Sequence, residues 1–376
     1  MSTTKNSPAI NSICDFNNTI TITLSCTDGF LVELSSLGAA IHGVFCPVSG
    51  GRLQNIALSY YDKKEYLSNG LYAGATLAPA AGRISNGILP IDKAHCPGTN
   101  SAKKSGLYHL SRNENNCHTL HGGYHNASFQ NWDLTAAQST ENQAQAVFSC
   151  HLPDGLDGFP GNRELTAVYT LYPDHRLSVR YEARTDRDTY FNLSNHTYFN
   201  LSGDFNRPAH HHLLQIQADH FISNQPDFIP EHTSLTADTP FDFRIPTSVH
   251  NQLCDYPDYP QLLRNQGYNH GFILKRSKQI SQTASLLTSG VPDLTCTLPD
   301  HSLTMRVWSN APCMVFYSGG YIPSGLLLRE KQLSCPGCAY AFEFQDYPDA
   351  PGGHGFPYIL TAPGETWSRE IIYHFS

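Results

Sequence analysis

Residues Phe191 to Gly203 read FNLSNHTYFNLSG. As a strand, this stretch alternates between two faces. Phe191, Leu193, Asn195, Thr197, Phe199 and Leu201 fall on one face, which is mostly apolar. Asn192, Ser194, His196, Tyr198, Asn200 and Ser202 fall on the other, where every side chain can hydrogen-bond and none is charged. A solvated strand face usually carries Lys, Glu or Arg. A polar, uncharged face with an aromatic beside a histidine suits a ligand built of hydroxyl groups. Periodicity alone favours a plainer alternative, a half-buried strand whose His196 satisfies a neighbour. Asn192, Asn195 and Asn200 each begin an Asn-x-Ser/Thr triplet, a glycosylation pattern that arises often by chance and matters only in a secreted chain.

The surrounding chain reads as all-β. Thr19 to Ser25 alternates strictly, a Thr-Asp-Gly turn follows, and Phe30 to Leu34 alternates again, which predicts a hairpin. Glu164 to Leu171 and Leu177 to Ala183 flank Pro173-Asp174-His175-Arg176 as a second hairpin. The 28 glycines and 24 prolines are spread throughout rather than bunched into a linker, and no repeat or long amphipathic helix is evident. The 376 residues, 40% hydrophobic, are ample for a substantial core. These features predict one large antiparallel β-sandwich over residues 1–376, with the ligand in a cleft on a concave sheet. Residues 1–15 are expected to be a peripheral or poorly ordered N-terminal segment.

Composition excludes several partners. The net charge of −8 and the absence of a Lys/Arg block argue against nucleic acid and anionic membrane. The N-terminus lacks a continuous apolar signal region, and no stretch approaches the roughly 20 apolar residues of a membrane span. Eleven irregularly spaced cysteines do not form a disulfide framework and point to a reducing, cytoplasmic setting. Cys335-Pro-Gly-Cys338 reads as a loop with two free thiols, because no second pair or redox-type βαβ context accompanies it.

Four further stretches carry candidate chemistry. LYAGATLAPAAGRISNG (Leu71 to Gly87) holds one charge, Arg83, which needs an anionic or multi-acceptor partner or a surface salt bridge. HTLHGGYHNASFQNW (His118 to Trp132) spaces His118, His121 and His125 as a metal site might, yet no Cys or carboxylate within the stretch completes the set. His210-His211-His212 precede the alternating run LLQIQAD and read as a loop end. GYNHGFIL (Gly267 to Leu274) contains Asn269. AYAFEFQ (Ala339 to Gln345), as a strand, sets Glu343 among Ala339, Ala341 and Gln345 on the face opposite Tyr340, Phe342 and Phe344. Small neighbours leave room beside a lone carboxylate, as a pocket base requires; a surface glutamate at a strand end is the plainer alternative.

Taken together, these stretches resemble the aldose 1-epimerase (galactose mutarotase) family. NLSNHTYFNLSG is similar to the family's Asn-His-(Ser/Thr)-Tyr-Phe-Asn-Leu run, and EFQDYPDA to its Glu-x-Gln-x-x-Pro-Asp-Ala run. The motifs occur in the family's order from roughly residue 30 to the end. The resemblance implies a mutarotase-type supersandwich with His196 as catalytic acid and Glu343 as catalytic base. It also implies sugar contacts from Arg83, the second of the family's two arginines, and from His121 of the Leu-His-Gly-Gly core. Ala78 stands where the first arginine would fall. Asn269 replaces the family's sugar-binding aspartate, keeping one acceptor and adding two donors without the charge. DGLDGFPGN (Asp154 to Asn162) and PFDFR (Pro240 to Arg244) match family elements expected to shape the backbone.

Interconverting α and β anomers of a free hexose such as galactose or glucose requires a base at the C1 hydroxyl and an acid at the ring oxygen. No metal, nicotinamide or other cofactor is needed. The expected partner is a small aldose, with the protein a monomer or weak homodimer. Two alternatives share the fold. A hexose-6-phosphate 1-epimerase would need cationic groups for the phosphate, and a non-catalytic sugar-binding protein would draw support from Asn269 alone. A glycosidase would usually want two carboxylates flanking the bond.

Overall fold

The computed structural model describes residues 8–14, 18–48, 50–92, 106–275 and 290–376. The first predicted hairpin forms from Ile20–Ser25 and Leu31–Ser35, paired antiparallel. Its alternation places Ile22, Leu24, Val32 and Leu34 fully inside. Ala9–Cys14 pairs on the outer side of this hairpin and Ala40–Val48 and Arg52–Asn55 on the inner side, giving a five-stranded meander. Residues 9–14 of the expected peripheral segment are therefore an edge strand, and residues 1–7 and 15 lie outside the described residues.

The second predicted hairpin, Arg163–Leu171 with Arg176–Thr185, sits inside a nine-stranded antiparallel sheet. Its register sets Leu165, Ala167, Tyr169 and Leu171 opposite Ala183, Tyr181, Val179 and Leu177, all buried in the principal core. A six-stranded antiparallel sheet contributes to the same core. Its order is Tyr198–Phe199, Tyr340–Gln345, Cys313–Tyr317, Asn269–Leu274, Ala218–Asn224 and Pro230–Leu235. Phe221, Phe272, Phe316, Phe342 and Phe344 are its inward side chains. Phe241 and Phe243 of the PFDFR element are buried in this core, with Phe241 stacked on Phe221 at 3.8 Å. The expected β-sandwich architecture is present, and the longest described α-helix, Val249–Asp255, has seven residues. No helix among the described residues is long and apolar enough to cross a membrane.

One expectation fails. Phe191 to Gly203 is not a continuous two-faced strand: residues 191–201 are all buried, and only Ser194–Asn195 and Tyr198–Phe199 are strand. The reason is a change of hydrogen-bond partner midway. Ser194–Asn195 pairs with Thr76–Leu77, whereas Tyr198–Phe199 pairs with Tyr340 and Ala341 of the six-stranded sheet. An asparagine side chain makes the turn between these partners, and a second makes the turn that follows them. Asn195 Oδ1 accepts from the Thr197 backbone N–H and hydroxyl (2.9 and 2.5 Å). Asn200 Oδ1 does the same for Ser202 (3.0 and 2.6 Å). The three asparagines of the glycosylation-like triplets are thus buried; Asn195 and Asn200 bond within their own triplets, whereas Asn192 donates to the Ala81 carbonyl and accepts from the Asp346 N–H.

Cys335 and Cys338 are both free thiols, in a turn closed by the Cys338 N–H on the Cys335 carbonyl (3.1 Å). His212 is buried, with Nε2 accepting from the Leu201 N–H and Nδ1 donating to the Ala209 carbonyl. The predicted loop-end role of that histidine run fits these contacts.

Candidate active site

The alternation that sends phenylalanines into the core sends a different set of side chains to the other face of the six-stranded sheet. Gly271, Val315 and Glu343 lie in one cross-strand row, and Asn269 pairs with Tyr317 in the next. All five line a single cleft. The opposite wall comes from the neighbourhood of Arg83–Ile84 and Thr119–Leu120, which pair so that Leu120 faces Arg83. Arg83, His121, His196, Asn269 and Glu343, the five residues singled out from the sequence, all line this cleft.

His196 and Glu343 form its centre. His196 Nε2 lies 3.6 Å from Glu343 Oε1, and both side chains are about 6% exposed. His196 reaches this position because its flanking residues switch partners: its N–H donates to the Ala75 carbonyl, and its carbonyl accepts from Gly74. Burial disfavours charge on either group. It pushes the Glu343 carboxyl up to about 8, against the opposing pull of the Arg83 charge. It pushes the His196 imidazole down to about 4. Burial thus dominates at both groups.

His121 is held by a reciprocal pair of contacts. Its N–H donates to the Gly82 carbonyl (2.9 Å), and its Nδ1 accepts from the Gly82 N–H (3.1 Å). Burial, with His196 and Arg83 nearby, keeps its pKa well below the usual histidine value. The neutral ring with a lone pair on Nδ1 carries its proton on Nε2. One ligand atom each from His121, His196 and Glu343 lies within 4.8 Å of the others, a grouping that could hold a cation. The Gly82 contact makes Nε2 of His121 a donor instead, which suits a hydroxyl better than a metal ion. The spacing of His118 and His125 leads elsewhere. His118 Nδ1 accepts from the Asn86 N–H and its Nε2 lies 3.3 Å from Asp227, while His125 is exposed.

Arg83 satisfies both readings of its sequence context. It makes a two-point contact with Glu114, Nε to Oε2 at 2.7 Å and Nη2 to Oε1 at 2.6 Å, while lining the cleft. Asn269 is half-buried, and its carbonyl accepts from Asn224 Nδ2 (2.7 Å). Among the described residues its side-chain amide has no hydrogen-bond partner and is available to a ligand.

Other residues of the site were not singled out from sequence. Tyr72 packs edge-on against His121 at 4.7 Å, and Tyr198 packs against His196 at 4.8 Å. Asn224, Phe228, Gln345 and Asp349 also line the cleft. Asp157, in the loop expected only to shape backbone, accepts from the Tyr124 and His125 N–H groups (2.9 and 2.8 Å) and so anchors the segment after His121. Gly123, at φ +104°, makes that approach possible, since a Cβ there would lie 2.5 Å from the Asp157 carboxyl carbon. Tyr198 was within reach because it shares the polar run with His196; a turn residue such as Phe228 has no periodic signal.

The fold and this cleft define a class: an antiparallel β-sandwich with a polar cleft that centres on a buried histidine and carboxylate. Residues 21–374 match the aldose 1-epimerase family model, and the chain belongs to the aldose 1-epimerase family. It is 28% identical over 358 residues to the aldose 1-epimerase of Escherichia coli, covering 94% of each chain. It is 27% identical over 351 residues to the human galactose mutarotase, covering 93% of this chain and 92% of the relative. In fold it is similar to the galactose 1-epimerase of Lactobacillus acidophilus, with a TM-score of 0.78, 24% identity and 99% of both chains covered.

Proposed function

We propose that this chain is an aldose 1-epimerase that interconverts the anomers of free hexoses such as galactose and glucose, with Glu343 and His196 as its proton-transfer pair. The observation that carries the reading is the 3.6 Å approach of these two buried groups in a cleft with hydroxyl-binding partners. Glu343 takes the proton from the C1 hydroxyl while His196 protonates the ring oxygen, and the C1–O5 bond breaks. Rotation about C1–C2 turns the other face of the aldehyde to the ring-forming hydroxyl. Closure returns one proton from Glu343 to O1 and the other from O5 to His196. The pair thus begins and ends each turnover with one proton between them.

Ring opening starts with that proton on His196, whereas burial favours it on Glu343. A bound sugar supplies hydroxyls that hydrogen-bond to the charged forms of both groups and offsets the burial. His121, Arg83 and the uncharged Asn269 hold the sugar hydroxyls and ring oxygen. The same reading covers residues 1–376 as one epimerase unit, cytoplasmic and monomeric or weakly dimeric.

A phosphosugar substrate is disfavoured. Among the described residues Arg83 is the sole Lys or Arg lining the cleft, and Glu114 already balances its charge. The test is turnover by variants at the pair. Glu343→Gln and His196→Asn should each lose about 10²–10⁴-fold in kcat while staying folded, as expected for a positioned proton-transfer group. A variant that is folded and near wild-type in rate would sink the assignment.

A further inference from the structure

We propose that Phe228 and Glu114 are positioning residues, which fix the Arg83 guanidinium so that its Nη1 edge is presented to the sugar. The inference rests on the reading that Arg83 contacts substrate. Glu114 engages Nε and Nη2. The Phe228 ring covers the guanidinium face, with its centroid 4.7 Å from Arg83 Cζ. Tyr321 abuts Phe228 edge-on, at 6.0 Å and 88°. Among the described residues Nη1 has no partner. With one edge and one face taken, the guanidinium is locked and a single edge remains for a ligand.

The backbone of Phe228 supports this assignment. It sits in the turn between Ala218–Asn224 and Pro230–Leu235, where Gln225, Pro226 and Asp227 are exposed but Phe228 is half-buried. Its φ is +65°, a conformation that is an outlier for a bulky side chain. Among the described residues Tyr72 and Phe228 are the only Tyr or Phe at positive φ, and both line the cleft. The turn is closed by backbone bonds, Gln225 N–H to Ile229 O and Phe228 N–H to Gln225 O, which need no aromatic ring. Glycine or asparagine would fit the turn with less strain, so the turn does not account for the ring, whose contacts are with Arg83 and Tyr321.

The experiment measures KM, kcat and melting temperature for Phe228→Gly, Glu114→Gln, Arg83→Met and the Arg83→Met/Phe228→Gly double variant, with α-galactose as substrate. Phe228→Gly should melt at or above the wild-type temperature, because glycine relieves the turn. Its KM should nevertheless rise about tenfold, with kcat changed less than about twofold, and Glu114→Gln should behave alike in KM. In the Arg83→Met background, Phe228→Gly should add nothing. A lowered melting temperature with unchanged KM would mark the ring as structural, and multiplying effects in the double variant would show that it acts independently of Arg83. Either result overturns the inference. A wild-type KM in Arg83→Met would instead overturn the underlying reading of Arg83, and the inference with it.

Discussion

In the proposed mechanism, burial and proton transfer make opposite demands on Glu343 and His196. Burial favours neutral forms of both, and ring opening needs both charged. Between about 4 and about 8 the pair holds one proton, whichever member carries it. The pH dependence of kcat/KM should therefore be flat across this window and fall outside it, tenfold per pH unit on each limb. Initial rates of mutarotation from pH 3.5 to 9.5 check this; an acid limb near 6.5 would show a solvated histidine instead. The same shift predicts a stability signature. Because the folded state raises the Glu343 pKa from 4.5 to about 8, it binds more protons than the unfolded chain between those values, and stability falls as pH rises through them. Removing the ionisable group should stabilise Glu343→Gln over wild type by on the order of 3 kcal/mol at pH 7, a gain that vanishes below pH 4.5. Denaturant titrations of both proteins at pH 4.5, 7 and 8 measure it. Glu343 was legible in the sequence because Ala339 and Ala341 leave space around it and a longer motif follows. Glu114 and Phe228 were not, since a lone glutamate in a polar loop and an aromatic at a turn tip signal nothing until folding brings them to Arg83.

At the scale of elements, the two hairpins were legible because one face of each strand is solvated or semi-solvated and the alternation survives. Phe191 to Gly203 also alternates, but both of its faces are covered, so periodicity could not reveal that the segment changes partners at Asn195. The loop from Asp154 to Asn162 shows a similar gap. Its turn residues predicted a shaped backbone, while the task of the Asp157 carboxylate depends on where the loop lands. Asp157→Ala removes two charge-assisted bonds to backbone N–H groups and leaves them unpaired. It should cost about 2–4 kcal/mol of stability and raise KM by loosening the segment that carries His121. Asp157→Asn, which keeps one acceptor, should lose less in both. Thermal melts together with Michaelis curves test the pair; an unchanged KM in a destabilised Asp157→Ala would detach this loop from the site.

For the whole molecule, the three sheets and their shared core place a polar cleft on one face of a phenylalanine-lined sheet, and that arrangement selects neutral, hydroxyl-rich ligands. A net charge of −8 and, among the described residues, a single, already balanced arginine in the cleft leave little attraction for an anion. Inorganic phosphate should therefore not inhibit at concentrations near those of the sugar, and hexose 6-phosphates should be poorer substrates than the free sugars; phosphate-competitive kinetics would contradict this. The central claim is tested most directly by polarimetry of freshly dissolved α-D-galactose and α-D-glucose with and without the purified protein. The expected result is a faster approach to the same equilibrium rotation, with the two rates showing which sugar Asn269 permits. No acceleration of either sugar by the folded protein would contradict it.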